Sequence, residues 1–175
     1  MKLSMLALAL TGLVAGSSLA FAAGEGTSTD TNPAKKCKKG EVYNKAKKKC
    51  VKATSGVLPD QDLYEQGRAL AKAGEYDWAL TVLATVSNQN DPRVLNYTGY
   101  SHRKAGRYEI GFSYYKKALD IDPDFVLARE YLGEGYVATG RVDLAMAQLS
   151  EIGKRCGVAC EEYQELAETI ATATN

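Results

Sequence analysis

The chain has 175 residues, with 22 lysines and arginines against 21 acidic side chains, 45% apolar residues and a single histidine. That apolar content and near-zero balance exclude a disordered polyelectrolyte or a fibrous repeat, and the length suits one domain with flanking segments. One histidine, with no H-E-x-x-H, no G-x-S-x-G and no P-loop, leaves no constellation for the common hydrolytic, metal or phosphoryl chemistries. No enzyme activity, metal or cofactor is expected.

In chain order, Lys2 precedes the apolar run LSMLALALTGLVAGSSL and the small-residue site Ala20-Phe21-Ala22. This is a signal-peptide pattern over 1–22, with cleavage expected after Ala22. Thr11, Gly12, Gly16, Ser17 and Ser18 break the run too often for a membrane-spanning helix, which needs about 20 apolar residues. The mature protein is therefore expected to be soluble, and periplasmic or secreted. Residues 23–34, rich in Gly, Ser and Thr, read as a flexible linker.

Residues 35–53 hold nine lysines, one carboxylate (Glu41) and two cysteines, Cys37 and Cys50. Twelve intervening residues do not suit zinc, whose ligands come at close spacing. Nucleic acid is also disfavoured: the lysines are accompanied by no arginine, and Tyr43 is the sole aromatic. With Cys156 and Cys160 the count is four, which allows three pairings. Export favours disulfides, and local pairing of Cys37 with Cys50 and Cys156 with Cys160 is the simplest. The first closes a loop of a size worth about 3 kcal/mol in chain-entropy models. The segment is thus expected to be an oxidised, solvent-exposed hairpin, a tethered accessory between GEGTSTDTNPA and ATSG linkers, contacting something acidic such as an anionic envelope surface.

From residue 58 to 155 three segments align: LYEQGRALAKAGEYDWALTVLATV, LNYTGYSHRKAGRYEIGFSYYKKALDIDP and AREYLGEGYVATGRVDLAMAQLSEI. Gly67, Gly99 and Gly133 fall in register, as do Gly74, Gly106 and Gly140, and Ala79, Gly111 and Ala145. Spacings are 34 residues between the second and third units and 32 between the first and second. Units of about 60–91, 92–125 and 126–155 each read as a helix pair. The first helix stops at glycine and the second starts at Tyr76, Tyr108 or Val142. His102 shares the register of Leu70 and Tyr136, so packing between helices is expected for it. Residues 156–175 carry Glu161, Glu162 and Glu165 ahead of an apolar stripe, Tyr163, Leu166 and Ile170, and read as a terminal capping helix.

The register glycines and the IDPDF ending with Pro123 resemble the tetratricopeptide repeat. The resemblance implies an all-α, right-handed superhelix of three helix pairs plus the cap, preceded by the small hairpin. The order of hairpin, three repeats and Cys-x-x-x-Cys also looks like uncharacterised exported repeat proteins of alphaproteobacteria.

In such a stack the first helices present a concave face. Register assigns to it Tyr64, Arg68 and Lys72 from the first unit, Asn96, Tyr100, Arg103 and Lys104 from the second, and Glu130 and Glu134 from the third. A face basic and aromatic at one end and acidic at the other suits a protein or peptide partner. A Tyr100/Arg103 double alanine is expected to remove such a partner without unfolding the protein. Self-association as an envelope structural protein is the other reading.

Overall fold

The computed structural model describes residues 37–174; the expected leader 1–22, the linker 23–34, Lys35, Lys36 and Asn175 lie outside the described residues. Two strands come first, β1 (Glu41–Asn44) and β2 (Lys49–Lys52), paired antiparallel with Val42 opposite Val51 and Tyr43 opposite Cys50. Cys37 and Cys50 are joined, with Cα atoms 5.6 Å apart. At the tip, the Asn44 side-chain oxygen accepts from the Lys47 amide at 2.8 Å, and Lys48 takes a left-handed conformation with φ of 48°.

Seven helices follow: α1 (Asp60–Lys72), α2 (Tyr76–Leu83), α3 (Pro92–Lys104), α4 (Tyr108–Ile121), α5 (Val126–Ala138), α6 (Val142–Cys156) and α7 (Glu161–Thr174). The first six pair as α1/α2, α3/α4 and α5/α6, and α7 packs on α5 and α6. The three inner turns are built alike. At Gly74, Gly106 and Gly140, with φ of 83°, 79° and 74°, the chain makes a left-handed step that most side chains resist. The next amide, of Glu75, Arg107 or Arg141, then bonds back to the carbonyl of Leu70, His102 or Tyr136 at 2.8–3.0 Å. Identical geometry at three register positions is what makes the helix pairs superimposable units. The first unit is shorter because α2 has 8 residues where α4 has 14 and α6 has 15. At the following junction Asp91 caps α3, accepting from the Arg93 amide at 2.8 Å, and Pro92 occupies the first helical position, where its missing N–H costs nothing.

Within the second pair the helices meet backbone to backbone. A Cβ on Gly99 would fall 3.0 Å from the Gly111 carbonyl oxygen, and one on Gly111 would fall 2.9 Å from that of Gly99. The core runs from the hairpin through the stack, from Val42 past Leu63, Leu70, Trp78, Leu83, Phe112 and Tyr115 to Leu132 and Ala145.

Two expectations need correction here. The hairpin is no tethered accessory: its Val42 face is buried against the first pair. Buried Gln66 of α1 completes the edge of β1, accepting from the Tyr43 amide at 2.7 Å and donating to the Tyr43 carbonyl at 3.1 Å, while Trp78 Nε1 donates to the Glu41 carbonyl at 3.0 Å. Nor is the ATSG stretch a loose linker. Ala53 is buried and its amide donates to the Gly40 carbonyl at 2.9 Å, and Leu58 is buried further on. A stack of helix pairs leaves an apolar end, and the hairpin closes the first one.

At the other end the cap is helical from Glu161 rather than from Cys156, where α6 ends. Cys156 and Cys160 are disulfide-bonded across the turn, Cα atoms 5.9 Å apart, with Gly157 at φ of 81°. Leu166, fully buried, sits on Gly133, where a Cβ would lie 2.5 Å from Leu166 Cδ2.

Candidate functional site

The first helices α1, α3 and α5 lie side by side and carry the register-assigned residues. Between them runs a chain of tyrosines. Tyr64 meets Tyr97 edge-on at 6.0 Å, Tyr97 lies 6.0 Å from Tyr100 and 6.4 Å from Tyr131, and Tyr100 and Tyr131 are 5.0 Å apart. Cations are set among these rings. Arg68 Nε donates to the Tyr97 hydroxyl at 3.0 Å; Lys72 Nζ donates to the Tyr131 hydroxyl at 2.5 Å and stands 5.1 and 5.0 Å from the Tyr100 and Tyr131 centroids. Arg93 lies over Tyr64 at 4.8 Å and Lys104 near Tyr100 at 6.0 Å. Contacts of this kind hold a positive charge over an electron-rich face without neutralising it.

Burial divides the nine register-assigned residues. Arg68, Lys72 and Lys104 are exposed, and Tyr64 and Glu134 are half-buried. Asn96, Tyr100, Arg103 and Glu130 are buried, so four side chains expected at the surface are structural instead. Arg103 shows why. Its guanidinium, 6% exposed, donates from Nε to the Tyr115 hydroxyl at 3.2 Å and from Nη2 to Glu134 at 2.5 Å, tying α3 to α4 and α5. Burial opposes its charge, and Tyr115 and Glu134 more than offset that. The stem packs where Gly111 and Gly135 leave room. The Tyr100/Arg103 double alanine would therefore open the core and is not a clean probe of binding. Asn96 is fully buried, with neither side-chain oxygen nor nitrogen hydrogen-bonded.

Glu130 is the most perturbed group on this face. It is 1% exposed, its Oε1 has no hydrogen-bond partner, and its carboxyl meets that of Glu165 across the α5–α7 contact. Burial first, then the bond to Glu165 and the charges of Glu134 and Glu162, push it up to about 9. At neutral pH it is a carboxylic acid. Beside it opens a groove of about 280 Å³, with Arg68, Lys72 and Tyr97 on one wall, Leu127, Glu130 and Tyr131 below, and Glu161, Glu162 and Glu165 of α7 opposite. The acidic first turn of α7 is a wall that register alone left out. Tyr97 and Tyr131 were missed as well, although an identical residue at one register position of consecutive units signals a ladder.

His102 is half-buried rather than packed away like Leu70 and Tyr136. It stacks on Tyr114 with centroids 5.6 Å apart, and its Nδ1 accepts from Arg107 Nε at 2.9 Å. Burial and the Arg107 charge lower its pKa, and its ring contacts are those of packing. Glu41 lies by the first sulfur pair and Glu162 by the second, but disulfide sulfurs offer no thiolate to a metal.

The family model of the tetratricopeptide repeat matches residues 64–124 and 98–154, together more than half of the chain. This protein belongs to the tetratricopeptide repeat family. Such domains generally serve as protein–protein interaction modules. Among solved structures, the chain is similar to one described as "MamA RS-1 ArsTM double mutant", at 25% identity and a TM-score of 0.50, over 54% of this chain and 55% of that one. The chain thus spans about half the length of that structure. No curated protein matches at a significant level. Among the described residues, the additions to these repeats are the hairpin at one end and α7 at the other.

Proposed function

We propose that this tetratricopeptide protein is exported and binds a protein or peptide along the concave face of α1, α3 and α5. The observation that carries the reading is the pairing of exposed cations with aromatic rings on one wall of the groove and carboxylates on the other. Arg68 uses one of its five N–H donors on Tyr97 and Lys72 one of its three on Tyr131, so both keep donors for an incoming carboxylate. The tyrosines beneath are packed against one another, and a surface that orders few side chains on binding loses less entropy. The α7 wall selects the polarity of an extended segment, acidic end over α1 and basic end toward α5 and α7. Export rests on the leader pattern and on two disulfides, which suit an oxidising compartment.

A photo-crosslinker at Lys104 in producing cells tests the groove. A discrete adduct is expected that disappears in the Arg68→Glu/Lys72→Glu variant and is absent when the crosslinker replaces exposed Met146 on α6. An adduct indifferent to the two reversals would remove the groove from consideration. Sequencing the mature N-terminus checks export, which requires Ala23 as the first residue.

A further inference from the structure

The lysine hairpin is left unexplained by groove binding. Its docked side is spoken for: Val42, Asn44, Gln66 and Trp78 hold it rigidly on the first helix pair. Every lysine of the described segment, Lys38, Lys39, Lys45, Lys47, Lys48, Lys49 and Lys52, is exposed. Lys39 pairs with Glu75 at 3.2 Å and Lys45 reaches Asp62 at 4.0 Å. Among the described residues no carboxylate pairs with Lys47, Lys48, Lys49 or Lys52. Three consecutive ammonium groups at the tip repel one another, and one of them, Lys48, stands on a left-handed backbone that glycine or asparagine would adopt with less strain. No ion pair among the described residues accounts for lysine at these positions.

We propose that this hairpin is a rigid electrostatic foot by which the protein adsorbs to an anionic lipid surface. Three observations favour lipid head groups. The cavity beside the hairpin takes only Lys39 and Gly40 from this segment and none of the tip lysines, which stand exposed at the turn and are placed to meet a surface. It carries lysine alone, a point charge without the planar fork that reads bidentate partners, and no exposed aromatic for stacking on bases. Beyond residue 52 the chain has 18 acidic side chains against 12 basic ones. An anionic surface therefore attracts the tip and repels the body, which orients the molecule foot-down with its repeats held away from the surface. The attraction needs no apolar insertion and is screened within about 8 Å at physiological ionic strength.

Co-sedimentation of the full, oxidised chain with vesicles of phosphatidylglycerol and phosphatidylcholine, against phosphatidylcholine alone, tests the proposal. Binding is expected only to the anionic vesicles and is lost in 0.5 M salt. Lys47→Gln/Lys48→Gln/Lys49→Gln should weaken it by roughly five-fold per lysine, on the order of a hundred-fold in all. The substituted side chains are exposed and repel one another, so Trp78 fluorescence should not move and the melting temperature should not fall. Arg68→Glu/Lys72→Glu should leave vesicle binding intact, which separates this proposal from the groove. Equal binding to neutral vesicles, indifference to the triple substitution, or retention on duplex DNA without retention on anionic vesicles would each overturn it.

Discussion

Replacing Glu130 by glutamine should make this protein more stable at neutral pH, although it alters a fully buried side chain. In the folded chain the carboxyl holds its proton up to about 9, whereas an unfolded glutamate releases it near the ordinary value of 4.5. The sign follows from proton binding. The folded state binds the proton more tightly, so stability is greatest below pH 4.5, declines as pH rises and levels off only above about 9. At pH 7 the interval of about 2.5 pH units corresponds to roughly 3 kcal/mol of unrealised stability. Glutamine keeps the shape and a donor for Glu165 and has no proton to lose. The Gln variant should therefore gain about 1–3 kcal/mol at pH 7, and the gain should vanish near pH 4.5. Urea unfolding of both proteins from pH 4.5 to 9 measures this, because subtracting the curves cancels every other titrating group. Exchange of α7 amides should also slow at pH 8, since that helix supplies Glu162 and Glu165. A difference that is flat with pH, or a variant less stable at pH 7, would refute the assignment of a neutral buried carboxyl.

Three further substitutions test how the ends and the centre are held. Gln66→Ala leaves the Tyr43 amide and carbonyl without their partner; it should cost about 1–3 kcal/mol and speed exchange at Tyr43 while α5 and α6 stay protected. Leu166→Ala empties the contact over Gly133 and should cost about 2–5 kcal/mol, read by thermal unfolding, with α7 amides exchanging first. Arg103→Ala strands Glu134 and the Tyr115 hydroxyl and should cost about 3–5 kcal/mol by denaturant titration, which disqualifies it as a binding mutant.

The repeat was legible because its signals are local and periodic. Gly74, Gly106 and Gly140 are needed by backbone geometry within one turn, and Tyr76, Tyr108 and Val142 start helices as the spacing predicts. Exposure along the groove was not legible by the same means. Register puts Tyr64, Asn96 and Glu130 in one column, yet Tyr64 is half-covered and the other two are buried, because each unit has a different neighbour beyond it. Glu130 is covered from outside the repeat pattern, by α7. The hairpin was misjudged for a related reason. Gln66 looks like any surface residue of an amphipathic helix, and only the backbone edge of β1 beside it makes its amide a structural part.

The two end pieces do more than close the stack. In a repeat array the terminal units lack one neighbour, so their apolar faces need a polar cover. Here the covers carry opposite charge, lysines on the hairpin and glutamates on the first turn of α7. The glutamates turn inward, where Glu161, Glu162 and Glu165 face Arg68 and Lys72 across the groove without pairing with them. Of the lysines, Lys39 and Lys45 reach Glu75 and Asp62 of the body, and Lys47, Lys48, Lys49 and Lys52 are exposed without such partners. A cap that needed only to solubilise the ends would do so with mixed charges, as the outer surface of α6 does with its Glu151–Lys154 and Glu151–Arg155 pairs. Segregation leaves Lys47, Lys48, Lys49 and Lys52 at one end, and the α7 glutamates at the other, without ion pairs among the described residues, which costs stability through like-charge repulsion and leaves them available to other molecules. Inside the fold, Glu130 holds its proton first because it is buried and then because Glu165, Glu134 and Glu162 lie near it. A partner bringing a cation into the groove would relieve the same repulsion, and binding should then release a proton, a change that calorimetry in buffers of different ionisation enthalpy can count.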